Sequence, residues 1–327
     1  MIEILSIFPL ATVQDLGRDG YWSQGLGRAG AMDPLALRVA NLLLGNDEGA
    51  ACLEIPLTPA RFRFRSEGGF ALAGAACDAM LDGVPLPRIW SGMAAAGQVL
   101  ELGPMRQGGR VYLALPGGID VPMVLGARST QLREGFGGFG GRVLAAGDVL
   151  NAAAPAGHSV THGLCAILPD LREGEGAPVT LRALPSTEYD SFSRDSRDSF
   201  WSRPYRVTEQ SNRQGFRLDG AALTRAAQGE LRSHGIVPGI VQVPGGGQPI
   251  IQLADAATMG GYPKIAAVIE PDLWRIAQTR PGEFIRFQQV SLEQAAEAAA
   301  EQQTWLDGLR RDLADLARQQ KGWAEHV

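Results

Sequence analysis

The chain is 327 residues long, 45% hydrophobic and 20% charged, with a formal charge of −5. At roughly 150 residues per domain that length suggests about two domains, each able to bury enough surface to fold without disulfide or metal staples. The acidic balance argues against a nucleic-acid role, which would need clustered Lys and Arg, and no run approaches the roughly 18 apolar residues of a membrane span.

The start, MIEILSIFPLATVQD, carries acidic Glu3 and no basic stretch ahead of its apolar run, so it does not read as a signal peptide. A first helix is predicted over Pro34–Leu44. Leu35, Val39, Leu42 and Leu43 share one stripe, Asp33 can serve as N-cap, Pro34 suits the first helical position, and Gly45-Asn46 supplies the stop. Strand-like apolar runs lie at 70–73, 99–102, 111–115, 149–150, 240–243, 250–253 and 284–287. Most are too short for stable helices, and the 42 Gly and 20 Pro between them fit tight turns joining many strands. The polar, Ser-rich segment DSFSRDSRDSFWSRP at 190–204 lacks apolar periodicity and reads as an exposed connector. A terminal helix follows, where Ser291 and Gln294 form a capping-box pattern and Leu306, Leu309, Leu313 and Leu316 recur at three-four spacing. That narrow stripe suits either a helix laid on the body of the protein or one used for a partner or self-association. Cys52, Cys77 and Cys165 are odd in number and far apart, so the expectation is three buried, reduced, inert thiols in a cytoplasmic protein.

Internal similarity is informative. VQDLGRDGY at 13–21 resembles VTEQSNRQGF at 207–216, and each is followed by an apolar-Asp pair, Met32-Asp33 and Leu218-Asp219. YLALPGG at 112–118 matches VQVPGG at 241–246, and Gly147-Asp-Val-Leu resembles Gly282-Glu-Phe-Ile, with Gly97-Gln-Val-Leu a further copy. The offset is 195 residues between Arg18 and Arg213 but 128 between Pro116 and Pro244, which implies about 67 extra residues in the first half. The reading is a mainly β chain with two related halves. The first, with its insertion, spans 1–189; the connector 190–204, a second β half 205–290 and the helix 291–327 follow.

Several chemistries have no motif here. There is no G-x-x-x-x-G-K-[ST] phosphate loop, since GFGGFGG at 135–141 lacks the Lys, and neither H-E-x-x-H, paired C-x-x-C nor G-x-S-x-G occurs. His158, His162 and His326 sit in loop-like or terminal sequence, and His234 reads as a structural histidine; no metal site is expected. If the chain is an enzyme, its chemistry rests on Asp, Glu, Lys, Tyr and Arg. The densest constellation is QLADAATMGGYPK at 252–264, where a strand runs into a Gly-Gly turn. Lys264, Asp255 and Tyr262 are its candidate catalytic residues, as anion binder and proton carriers, with Thr258, Gly260 and Gly261 as candidate substrate- or phosphate-binding positions, the glycines letting a ligand approach the backbone. A surface Lys–Asp pair on an ordinary turn is the competing reading. The second constellation is Arg18, Asp33 and Asn41, with Arg213 as the repeat counterpart of Arg18. A guanidinium in a Gly-framed loop suits a carboxylate or phosphate, and equally suits an internal lock on Asp15, Asp33 or Glu209.

Three groups of motifs carry a resemblance. TVQDLGR-x-G with GAMDP-x-A-x-x-x-AN-x-LLGN, LPGGIDVP-x-VLG-x-RST, and GGYPKIAAVI followed by RPGE resemble the biotin-dependent carboxyltransferase / allophanate hydrolase subunit 2 family over roughly residues 3–290. The resemblance implies two related cyclophilin-like β-barrel subdomains with few helices. For a chain of this length it further implies one component of an ATP-dependent 5-oxoprolinase, which opens the lactam of 5-oxoproline to L-glutamate together with subunits B and A. On that reading Arg18 and Arg213 hold substrate carboxylate or phosphate, Lys264 stabilises developing negative charge, and Asp255 and Tyr262 orient it or relay a proton. ATP is then shared with the partner subunit. Biotin enters only under the rival reading, a carboxyltransferase component acting on urea or a related amide. A third is a non-catalytic regulatory subunit binding a kinase-inhibitor-like partner. Two positions depart from the family pattern: Asn212 stands where Asp is usual before the Arg, and Met259 where Thr is usual before Gly-Gly.

Overall fold

The computed structural model describes residues 1–154, 162–226 and 231–324, so His158 and His326 lie outside the described residues. Contacts divide the chain into two compact units. The first comprises Met1–Arg18, Asp33–Pro169 and Gln303–Val327, the second Asp19–Met32 and Asp170–Gln302.

The first unit is built on one nine-stranded sheet. Its strands are β1 (Ile2–Ser6), β2 (Thr12–Gln14), β3 (Cys52–Pro56), β4 (Ala60–Phe64), β5 (Gly68–Leu81), β6 (Val84–Pro85), β7 (Trp90–Ala94), β8 (Val99–Ala114) and β9 (Val149–Leu150). β8 is its spine. One end pairs with β4 (Phe62↔Leu100), the other with β3 (Leu53↔Leu113), and β5 runs antiparallel along it from Ala71↔Ala114 to Leu81↔Leu100. The apolar runs at 99–102 and 111–115 are therefore two ends of a single 16-residue strand. β5 passes close to its middle: a Cβ on Gly103 would lie 3.0 Å from the Asp78 carbonyl oxygen. Period-two alternation is clear in β4, which buries Ala60, Phe62 and Phe64 and exposes Arg61 and Arg63. Ile2, Ile4, Phe62, Phe70, Leu100 and Leu113 are fully buried in this core, each worth roughly 1.5–3 kcal/mol of burial. Helix α1 (Pro34–Leu44) packs on β5 and β8. It is capped as its sequence predicts: the Asp33 carboxylate accepts from the Ala36 N–H at 2.8 Å, and Gly45 closes it at φ 71°. Leu35, Val39 and Leu43 of the expected stripe are buried while Leu42 is only half-buried, and Leu37 and Leu44 are buried as well, so the helix is covered on more than one face.

The second unit is a closed seven-stranded barrel. Its strands are β10 (Val179–Pro185), β11 (Tyr205–Val207), β12 (Gly215–Asp219), β14 (Ile240–Gln242), β15 (Ile250–Gln252), β17 (Lys264–Val268) and β18 (Phe284–Gln289), with β13 (His234–Gly235) and β16 (Met259–Gly260) forming a separate ribbon. The order β10-β17-β14-β15-β12-β11-β18 closes through a parallel pairing of β10 with β18, which leaves no open edge. Two short helices, α2 (Arg194–Ser202) and α3 (Leu273–Gln278), belong to this unit, and the first turns of α4 (Leu292–Ala324) start in it.

Three expectations need correction. The boundary at 189 is misplaced: β10 pairs with β17 and β18, so the main stretch of the second unit begins at Asp170. The segment 190–204 is not a bare connector, because α2 forms within it, capped by the Ser193 hydroxyl, and Phe200 is fully buried, stacking on Phe287 at 4.3 Å. A nine-residue helix that buries one aromatic shows too little periodicity to be read from sequence. The thiols also differ from one another. All three are free, and burial pushes Cys52 up and Cys77 up to about 11, but only Cys52 is buried: Cys77 is half-buried and Cys165 exposed.

The repeat is visible at turns. Gly97, Gly147 and Gly282 all adopt φ near +90° (92°, 91° and 88°) and lead into β8, β9 and β18, a conformation open to glycine. It fails at the paired aspartates: Asp33 caps a helix, whereas Asp219 ends β12 and pairs with Arg206 at 2.9 Å. The capping box of α4 forms reciprocally, Ser291 N–H to Gln294 Oε1 at 2.9 Å and Gln294 N–H to Ser291 Oγ at 3.2 Å. Leu306 and Leu313 are buried, Leu316 is exposed, and Arg310 pairs with Glu48. No helix of the described residues is long and apolar enough to cross a membrane.

Candidate active site

Arg18, Asp33 and Asn41 lie in the first unit. β2 feeds a turn in which the Asp15 carboxylate accepts from Gly17 N–H at 2.8 Å and from the Ser129 hydroxyl. Arg18, only 2% exposed, donates from Nη2 to the Ser129 carbonyl oxygen at 2.6 Å and lies 4.8 Å from the Phe136 ring centre. Phe136 belongs to the glycine-rich loop at 135–141, whose glycines permit chain against chain. A Cβ on Gly137 would meet the Ser129 carbonyl oxygen at 2.2 Å, and one on Gly138 the Thr130 hydroxyl at 1.9 Å. Asn41 donates to the Ala50 carbonyl at 2.8 Å and accepts from Asn46 at 2.9 Å, tying the turn after α1.

The remaining candidates lie in the second unit, and they separate into two groups. Arg213 forms a fork with Asp255, Nε to Oδ2 at 2.9 Å and Nη2 to Oδ1 at 3.0 Å, while Nη2 also donates to the Gly30 carbonyl oxygen at 2.6 Å. The Asp255 N–H returns a bond to the Arg213 carbonyl at 2.9 Å, and both side chains are at least nine-tenths buried. The partner is thus Asp255, not Glu209 as the local sequence had offered. This pairing holds the turn before β12 against the turn after β15. Thr258, just after it, accepts at its carbonyl from the Ile236 N–H at 3.0 Å.

Lys264 opens β17 opposite Gln242 of β14 and is 4% exposed. Its carboxylate neighbour is Glu188, not Asp255. Glu188 Oε2 accepts the Lys264 backbone N–H at 3.0 Å and stands 3.9 Å from Nζ. Glu188 Oε1 accepts from the Thr187 hydroxyl at 2.7 Å and lies 3.5 Å from His234 Nε2. His234 Nδ1 is 2.8 Å from the Arg232 carbonyl oxygen, which can only accept, so Nδ1 bears the hydrogen and Nε2 faces the carboxylate. Burial lowers the Lys264 ammonium below its ordinary 10.5, with Glu188 opposing that shift. The adjoining turn is fixed from below: a Cβ on Gly260 would lie 2.7 Å from Gln242 Nε2, and that amide is also held by Gln252, which donates to Oε1 at 2.9 Å. Tyr262 is exposed. A groove of about 670 Å³ runs past this turn, lined by Gly261, Tyr262 and Pro263 together with Gly245, Gly246 and Leu223. Two motifs singled out in the sequence, VPGG and GGYP, thus meet on one groove. Among the described residues no three His, Cys, Asp or Glu side chains are placed to hold a metal ion.

A buried ammonium next to a carboxylate that an imidazole faces from its other side, one residue beyond the groove-lining Pro263, can hold an anionic group, stabilise charge on a carbonyl oxygen, and move a proton. Glu188 had no signal in the sequence; it reaches Lys264 because Ser186 N–H bonds the Ile265 carbonyl at 3.1 Å. His234 is placed by the ribbon pairing His234↔Gly260, beyond what a single histidine in a chain can reveal.

A nine-stranded sheet and a closed seven-stranded barrel in one chain, the barrel carrying this lysine cluster, define a two-unit β protein of the carboxyltransferase-domain class. Residues 24–289 match the family described as carboxyltransferase domain, subdomain A and B. The sequence is 45% identical to the C subunit of 5-oxoprolinase from Escherichia coli K12, over 94% of this chain and 97% of that protein. It is 41% identical to the protein of the same name from Haemophilus influenzae over 95% and 98%. The Kluyveromyces lactis urea amidolyase structure matches with a TM-score of 0.85 at 28% identity, covering 94% of this chain and 20% of that one. The chain belongs to the carboxyltransferase-domain family, alongside relatives that bear the name of the 5-oxoprolinase C subunit.

Proposed function

We propose that this chain is the C subunit of a cytoplasmic, ATP-dependent 5-oxoprolinase that opens the lactam of 5-oxoproline to L-glutamate together with the A and B subunits. The observation that carries the reading is an end-to-end match: the chain covers 97% of the Escherichia coli relative with that name, against 20% of the urea amidolyase structure. A lactam is a resonance-stabilised amide, so opening it requires charge to build on the carbonyl oxygen. Lys264 is the group we assign to hold that oxygen or the substrate carboxylate, with Glu188 and His234 managing the proton. Arg213 and Asp255 keep the neighbouring turns in place. ATP supplies the activation that the amide needs. The loop at 135–141 does not fit a triphosphate, since Gly137 and Gly138 are filled by Ser129 and Thr130 of their own chain, and we assign nucleotide binding to the partner subunits.

The test is ATP-dependent glutamate release from 5-oxoproline by the purified chain with candidate A and B subunits. Release that needs all components supports the reading, and full activity of Lys264→Ala in that mixture removes Lys264 from the chemistry. A second reading, carboxyl transfer from carboxybiotin to urea or a related amide, is favoured by the fold match to urea amidolyase. It predicts labelled bicarbonate incorporation when a biotin carboxylase and carrier are supplied, with no glutamate formed.

A further inference from the structure

Of the 30 Lys and Arg residues in this chain only two are lysines, Lys264 and Lys321. Wherever the described residues show an ion pair, the cation is arginine, apart from Lys264 and His234, which share Glu188. Arginine keeps its charge at every working pH and makes rigid forks, as at Arg213; lysine is a compact ammonium that titrates when buried. A chain whose other described ion pairs use arginine or histidine thus places a lysine at a buried strand start, directly after the groove-lining Pro263.

We propose that Glu188 is a positioning residue for Lys264, clamping the start of β17 and setting its Nζ as a donor for the substrate. Three observations place it there. Oε2 accepts the Lys264 backbone N–H at 3.0 Å; it stands 3.9 Å from Nζ, near enough to act on the charge but too far to occupy an N–H; and Oε1 is braced by Thr187 and faces His234 at 3.5 Å. Among the described residues, the groups shown around Lys264 come from three segments. Glu188 comes from the segment after β10, His234 from β13 stands beyond it, and the neighbour from β14 is the neutral Gln242. With burial lowering the ammonium and Glu188 opposing it, removing the carboxylate lets Lys264 lose its proton at a lower pH.

The catalytic consequence rests on the lactam-opening reading above; the pairing itself does not. With two lysines, the full chain labelled with ¹³C-lysine gives two Cε signals, and Lys321→Arg assigns them. Glu188→Gln is expected to lower the Lys264 titration midpoint by about one pH unit or more; an unchanged midpoint overturns the proposal. If Glu188→Gln does not fold, Glu188→Asp, with its carboxylate drawn back by one methylene, is expected to lower the midpoint by less, and no change again overturns it. In the reconstituted complex the alkaline limb of glutamate release should move down with that midpoint, and a limb that stays put overturns the catalytic role. If the wild-type complex releases no glutamate, the proposed function fails while the titration still decides the pairing.

Discussion

Two of the barrel unit's cation–carboxylate pairs differ in kind. Arg213 and Asp255 spend their hydrogen bonds on each other and on backbone, two parallel bonds at 2.9 and 3.0 Å plus a third to Gly30. Lys264 and Glu188 are bonded through the lysine's backbone, and the ammonium stands 3.9 Å off. The contrast separates a residue that locks a turn from one whose charge is held ready. Both pairs are buried enough for Coulomb attraction to matter, so what distinguishes them is donor geometry.

The comparison can be broken in order of expected effect. Arg213→Ala leaves the Asp255 carboxylate buried and unpaired, and is expected to cost about 3–5 kcal/mol in urea denaturation. Arg213→Lys should recover only part of that, since an ammonium cannot form the fork; an Ala variant as stable as wild type would make the pair ornamental. Lys264→Ala is expected to cut glutamate release by about 100-fold or more, roughly 2.7 kcal/mol, while moving the unfolding midpoint less than Arg213→Ala does. The activity should also fall as pH rises through a Lys264 value below the ordinary 10.5, because the functional form is the protonated one. The first unit offers a third kind of lock, made from backbone alone. Gly137→Ala forces a side chain onto φ +71° and against the Ser129 carbonyl, and should cost about 1–3 kcal/mol by thermal unfolding. Ser291→Ala removes one half of the α4 capping box and should cost about 1 kcal/mol; no measurable loss would mean that helix end frays in solution.

Legibility varied with the range of the interaction. Helix α1 was readable to the residue because its cap, its proline and its terminal glycine are neighbours in sequence. The strands at 240–243, 250–253 and 284–287 were readable as short apolar runs between turns, and the Lys264 motif as glycines around polar residues. β8 was read as two runs because its middle, Gly103 to Arg110, carries exposed Pro104, Arg106 and Gln107 between the two buried ends. The partner of each cation was misjudged for a related reason. Asp255 lies nine positions before Lys264 and was paired with it by proximity, but the barrel carries it to Arg213, 42 residues away.

Amino-acid order alone settled the turns, the caps, the alternation that makes a β protein and the family motifs, because each depends on side chains within a few positions of one another. Folding decided which carboxylate meets which cation, that one sheet closes into a barrel while the other does not, and that an unheralded glutamate at 188 stands against the lysine at 264. Those outcomes depend on strand register over many tens of residues, and no local pattern carries that information.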